Sequence, residues 1–189
     1  MSKQRKAPGE LEQVRAFVNT RQIGHGTERL SDPAALAVWL ADRGLAPGAV
    51  RATRADLAHA LELREALRAM LVAHAGAPGV VSASVTRALE EASRRARLAL
   101  RFAEDGGAAL VPDAPGVNGA LGRLLAIVHD AIAQGTWTRL KACREPDCEW
   151  AFYDHTKNRS GAWCSMEGCG NRAKARAYRE RHAHGSKSH

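Results

Sequence analysis

With 189 residues, 45% apolar but only 5% aromatic, the chain is long enough for one domain and a small appendage. Alanine and leucine must fill most of its core, which favours a helical protein. Met1 to Glu10 is polar and basic with no apolar signal core behind it, and no apolar run could cross a bilayer, so a soluble, cytoplasmic protein without a membrane partner is expected. The net charge of +8 sits at the two ends: Lys3, Arg5 and Lys6 give residues 1–6 a charge of +3, Arg172, Lys174, Arg176, Arg179, Arg181 and Lys187 against Glu180 give residues 170–189 a charge of +5, and the stretch between is balanced.

Glu10 to Thr20 reads as a helix, with Leu11, Val14, Phe17 and Val18 at three- and four-residue spacing, broken by Gly24 and Gly26. Ser31-Asp32-Pro33 is a helix start, a capping residue ahead of proline, and Gly44 stops the helix that carries Leu36, Trp39 and Leu40. Thr53 caps a long helix whose stripe of Leu57, Leu61, Arg64, Leu67 and Leu71 runs to about His74, before Gly76, Pro78 and Gly79. A fourth helix covers about Ser82 to Ala96. The period then changes to two: Leu98, Leu100 and Phe102 alternate, Glu104 to Gly107 turns the chain, and Ala109 to Val111 return, a β-hairpin. A further helix spans about Val117 to Gln134. The fold class is therefore mainly α with a small β-hairpin (α+β): a helical domain over 7–138, a zinc-binding finger over 139–183 and a disordered tail over 184–189. Its own apolar stripes and balanced charge predict that the first domain folds without the second.

The four cysteines fall in 27 residues, Cys143 and Cys148, then Cys164 and Cys169, as C-x4-C, fifteen residues, C-x4-C. In a reducing cytosol two such pairs suit metal better than disulfides, and four thiolates close a tetrahedral zinc site with no position left for a catalytic water. Turn chemistry lies inside or beside each pair, Pro146-Asp147 and Gly168 with Gly170. Trp150 to Tyr153 and Ala162-Trp163 read as two strands around the polar turn Asp154 to Gly161, and Asn171 to Ala183 as a helix. Knuckle, hairpin, knuckle and helix make a treble-clef or ribbon-like finger around one structural zinc. His155 reads as an exposed turn residue, Trp150 and Trp163 as finger core, and Asn171 as the helix cap.

The segments Cys143-Arg144-Glu145-Pro146-Asp147-Cys148, Trp150 to Asp154, Lys157 to Ser160, Trp163 to Met166 and Cys169-Gly170-Asn171-Arg172 resemble the CGNR zinc finger, named for the last four of these residues. That finger occurs in bacterial proteins behind an ABATE domain described as a stress-induced transcription regulator. Phe17 to Arg21 and Leu30 to Pro33 resemble the opening of that domain, so the resemblance covers nearly the whole chain. It implies transcription regulation and DNA binding. One departure is Gly161-Ala162, where many members carry a more basic pair ahead of the tryptophan.

On a helical wheel Arg172, Arg176 and Arg179 fall within about 60° of one another, Lys174 and Arg181 form a second band, and Ala173 and Ala177 a small-residue face. With the alanines packed on the finger, the arginine face would turn outward to phosphates or guanine edges. The expected nucleic-acid contacts are Arg172, Lys174, Arg176, Arg179 and Arg181, with duplex DNA the foremost partner. An RNA-binding zinc protein, separable by preference for structured RNA at matched salt, and a protein-interaction adaptor, separable by binding that survives nuclease, are the other readings. The helical domain would sense a small-molecule effector or mediate homo-oligomerisation, and Asn19, Thr20 and Arg21 at the end of an apolar helix could line a ligand pocket. No nucleophile–base motif, phosphate loop or open metal site appears, so no catalytic residue is expected.

Overall fold

Helix termini that are specified locally fall where their residues place them. In the computed structural model, which describes residues 6–46, 48, 50–76 and 81–185, helix α2 (Pro33–Asp42) starts behind Asp32, whose carboxylate accepts from the Ala35 amide at 2.9 Å. Helix α3 (Arg54–Ala75) starts on a capping box: Asp56 N–H donates to Thr53 Oγ1 at 3.2 Å, and Thr53 N–H returns to the Asp56 carboxylate at 2.8 Å. Helices α1 (Leu11–Val18) and α4 (Ala83–Ala96) match their apolar spacing. Pro78 and Gly79, read as ending α3, lie outside the described residues, as do Lys3, Arg5, Lys187 and His189.

The alternating stretch forms the expected hairpin, β3 (Leu98–Phe102) against β4 (Ala108–Pro112), with Leu98 opposite Pro112 and Phe102 opposite Ala108. It leans on helix α5 (Gly116–Ala133) at Gly122, where a Cβ would lie 2.6 Å from the Ala96 methyl and 2.8 Å from Pro112. A second, smaller hairpin, β1 (Arg21–Gln22) and β2 (Thr27–Glu28), turns over Ile23–His25, and Gly26 takes the left-handed backbone (φ 63°) that the turn requires. The glycines at 24 and 26, read as helix breakers, are the turn of this ribbon.

Two strands follow α5: β5 (Leu140–Ala142) and β6 (Ala151–Tyr153). They pair antiparallel, Leu140 with Tyr153 and Ala142 with Ala151. This corrects the expected pairing of 150–153 with 162–163. The reason lies in Asp154, fully buried, whose carboxylate takes bonds from Thr156 and from the Gly161 amide at 2.7 Å, curling residues 154–161 into a tight loop rather than a strand turn.

All six residues of β5 and β6 are buried. Leu140, Ala142, Ala151 and Tyr153 belong to the same apolar core as Val14, Phe17, Leu67, Leu71, Leu124 and Val128 of helices α1, α3 and α5. The helical part was expected to close on its own apolar residues; instead the finger's hairpin forms one wall of its core. Polar bonds seal the same junction: His74 Nδ1 meets the Leu140 carbonyl at 2.8 Å, Arg68 donates to the carbonyls of Glu149 and Val18 at 3.0 and 2.6 Å, and Arg144 Nε donates to the Ala75 carbonyl at the end of α3.

Candidate metal centre

The first pair of cysteines leaves the end of β5. Cys143 N–H donates to the Trp150 carbonyl and Cys148 N–H to the Glu145 carbonyl, 3.0 and 2.9 Å, folding 143–150 into a knuckle in which Glu149 takes a left-handed backbone (φ 44°). The second pair brackets the start of the last helix. Cys164 precedes it, and Cys169 lies in a π-helical turn (Met166–Gly170) that runs into α6 (Asn171–Gly185). Ser165, in extended backbone, caps this turn through Gly168 N–H to Ser165 Oγ at 3.3 Å. Asn171 was expected to be the cap. Because the helical path begins one turn earlier, its backbone is already helical and its side chain donates back to the Glu167 carbonyl at 3.2 Å. Gly170 is set by packing: a Cβ there would lie 2.9 Å from Met166 Sδ and 3.3 Å from the Trp163 ring.

These elements bring the four sulfurs within 4.8 Å of one another. Cys164 Sγ lies 3.7 Å from both Cys148 Sγ and Cys169 Sγ. A tetrahedron with zinc–sulfur bonds of about 2.3 Å has edges of roughly 3.8 Å. The donor set fits one structural zinc, held by Cys143, Cys148, Cys164 and Cys169. The thiols cannot share so small a space as four anions without a dication. Left to themselves, hydrogen bonds from Cys148 and Cys164 pull Cys143 down to about 2, the Cys143 contact pushes Cys148 up to about 12, and Cys143 and Cys148 together push Cys164 higher still. Cys143 and Cys169 are buried, Cys148 and Cys164 half-buried.

Helix α6 is tied to this centre by two of the arginines read as its outward face. Arg172 donates to Cys169 Sγ at 3.0 Å, and Arg176 forks onto Glu145, at 2.8 and 3.3 Å, inside the first knuckle. The Glu145 side chain is 5% exposed, the Arg176 side chain 45%. The thiolate beside Arg172, and then its bond to that sulfur, push its guanidinium further toward the charged form, and the Glu145 bond does the same for Arg176. Ala173 and Ala177 are the half-buried face of the helix, as expected. Lys174, Arg179 and Arg181 are exposed and bond to no group among the described residues.

His155 is exposed, with Nε2 2.9 Å from the Lys6 carbonyl, and takes no part in the sulfur cluster. Trp150 and Trp163 are half-buried; the buried aromatics of this region are Phe152 and Tyr153. Of the polar trio at the end of α1, Asn19 and Thr20 are buried and Arg21 is exposed beside Glu65 at 3.6 Å. Thr20 Oγ1 donates to the Phe17 carbonyl and accepts from Arg64, which forks onto Glu28 with both bonds at 2.7 Å. Arg64 sat in the apolar stripe of α3, and that position was the signal that it would be buried and paired. Also new is a buried ion pair, Lys141 Nζ to Asp154 at 2.8 Å, which joins β5 to the loop behind β6.

Residues 14–135 match the family model ABATE, described as "Putative stress-induced transcription regulator", and residues 139–182 match that of the CGNR zinc finger. Neither description is of an enzyme. No curated protein matches the chain. Among the described residues no helix is long and apolar enough to cross a membrane.

Proposed function

The chain belongs to the ABATE family and carries a CGNR zinc finger behind the ABATE domain, and from that premise we propose that it is a zinc-dependent regulator that holds duplex DNA on α6. The observation that carries this reading is the state of the helix: three cationic side chains, Lys174, Arg179 and Arg181, stand exposed and without a partner among the described residues, on an element that zinc, Arg172 and Arg176 hold to the body. Exposed arginine and lysine on a fixed helix can meet phosphates without losing an existing protein bond. Arg172 and Arg176 contribute charge from the face toward the zinc and orient the helix. The ABATE part carries the regulatory input, from a small ligand or from a second copy of the chain. Of the Asn19-Thr20-Arg21 cluster only Arg21 is exposed, and Asn19 behind it joins α1 to the finger hairpin, so a molecule held by Arg21 would act on the junction that positions α6.

Fluorescence anisotropy of zinc-loaded protein with duplex DNA, repeated across a salt series, tests the reading. Affinity that falls linearly in log–log form with salt is expected, and weaker binding to structured RNA at matched salt. Absence of DNA binding at low salt sinks it.

A further inference from the structure

The four zinc ligands are not equally shielded. Cys143 and Cys169 are 3% and 4% exposed, and Cys169 already accepts a hydrogen bond from Arg172. Cys148 and Cys164 are half-buried, and together with the buried Cys169 they line a cleft of about 610 Å³. Ile23 and His25 of the β1–β2 turn bound the cleft on one side, Ala175 and Arg179 of α6 on the other, with Trp150 beside the sulfurs. The turn cannot close it further, since its backbone already rests on the knuckle: a Cβ on Gly24 would lie 2.5 Å from the Asp147 carbonyl oxygen. The two accessible sulfurs are also 3.7 Å apart, neighbours on one face of the cluster, against about 2.05 Å in a disulfide.

We infer that this cleft makes Cys148 and Cys164 an oxidation site for small peroxides, at which the pair leaves the metal as a disulfide. A zinc-bound thiolate remains a nucleophile once a reagent can reach it, and Arg172 draws electron density from Cys169, so the unshielded pair reacts first. One sulfur of the pair attacks a peroxide oxygen; the S–O bond forms, the O–O bond breaks and hydroxide leaves. The second sulfur attacks the resulting sulfenic acid; the S–S bond forms, the S–O bond breaks and a second hydroxide leaves. Two thiolates have lost two electrons, hydrogen peroxide has gained them, and two protons from solvent convert the hydroxides to water. Cys143 and Cys169 alone do not complete a four-sulfur site, so zinc is released. The chemistry concerns the zinc centre alone and holds whatever α6 binds.

The test is a titration of zinc-loaded full-length protein with hydrogen peroxide, followed by a chromogenic zinc chelator and by non-reducing peptide mass mapping. One zinc released per two-electron oxidation is expected, together with a Cys148–Cys164 cross-linked peptide, both reversed by thiol reductant and added zinc. In Ala175→Trp, which adds bulk to the cleft lining and replaces no ligand, release should slow several-fold while zinc stoichiometry stays at one. Zinc retained under excess peroxide, a first disulfide that contains Cys143 or Cys169, or an A175W variant that keeps its zinc and releases it at the unmodified rate would each overturn the inference.

Discussion

Asn19 and Ala151 exchange two hydrogen bonds across 132 residues of chain: Asn19 Nδ2 donates to the Ala151 carbonyl at 2.9 Å, and the Ala151 amide donates to Asn19 Oδ1 at 2.8 Å. A side-chain amide there reproduces the pairing a neighbouring strand would give β6, with α1 ending one residue before the Asn19 that supplies it. Both residues are buried, so neither backbone group of Ala151 has water as an alternative. Asn19→Ala leaves the Ala151 amide unpaired and its carbonyl with only Arg15 Nη1 at 3.4 Å, and should therefore cost about 1–3 kcal/mol, the usual penalty for an unpaired buried group. Asn19→Asp should be no better, because a carboxylate cannot donate to the carbonyl. Thermal unfolding of both variants with zinc loading measured alongside checks this; a melting temperature unchanged in Asn19→Ala would show that water replaces the amide.

The same junction predicts how the whole chain melts. Since Leu140, Ala142, Ala151 and Tyr153 complete the core of α1, α3 and α5, the helical part and the finger should unfold together. Metal is worth on the order of 10–16 kcal/mol to isolated zinc fingers, and here its removal should lower the stability of the ABATE helices as well. Melts followed by far-ultraviolet circular dichroism and by tryptophan fluorescence should coincide, and chelation should shift both. A chain ending near Trp137 should be helical but loosely packed, with its apolar face exposed to dyes. Two separate transitions, or a cooperatively melting truncated chain, would place the core wholly within the first 137 residues.

Lys141 and Asp154 form the most deeply buried ion pair among the described residues, 7% and 0% exposed, and its loss should be felt at the zinc loop. Removing one partner of a buried pair commonly costs about 3–5 kcal/mol. Asp154→Ala should fall in that range and should loosen residues 154–161, because Thr156 and Gly161 lose their acceptor with it. Burial alone would raise the Asp154 carboxyl, but the bonds from Lys141, Thr156 and Gly161 outweigh it and hold the group well below the usual carboxylate range. A depressed folded value means the stabilisation is complete above the unfolded carboxyl value of about 3.9 and is lost as pH falls through the interval beneath it. Unfolding curves between neutral and acid pH should show that loss in the native chain and a smaller slope in Asp154→Ala.

What was legible in the sequence was what neighbouring residues decide. Thr53 with Asp56, and Asp32 ahead of Pro33, fix helix starts within four residues. The alternation of Leu98, Leu100 and Phe102 fixes a hairpin, and four like ligands within 27 residues fix the metal. The relations that were not legible are long-range or depend on one buried group. Nothing near Leu140-Lys141-Ala142 marks it as a strand; it becomes one by covering α3 and pairing with β6. Arg176 lies 31 residues from Glu145, so the wheel could place it on a face but could not say that the face is held by a buried carboxylate. A signal was present: an acid between the two cysteines of the first knuckle, opposite a helix with a surplus of arginine.

That pairing sharpens the test of the DNA contact. Arg172 and Arg176 are poor probes, since their removal would uncover Cys169 or leave Glu145 buried without its cation, and weaker binding could then follow from a displaced helix. Lys174, Arg179 and Arg181 have no protein partner to lose among the described residues, and all three are exposed. Replacing them together with alanine, the best helix former, should leave zinc stoichiometry, helicity and melting temperature close to those of the parent. If each holds one phosphate, the slope of log affinity against log salt should flatten by about 0.9 per residue, roughly 2.7 for the three. Arg176→Ala alone should behave differently, lowering the melting temperature as well as the affinity. A triple variant that keeps the parent's salt slope would remove α6 from the contact and turn attention to an acidic protein partner.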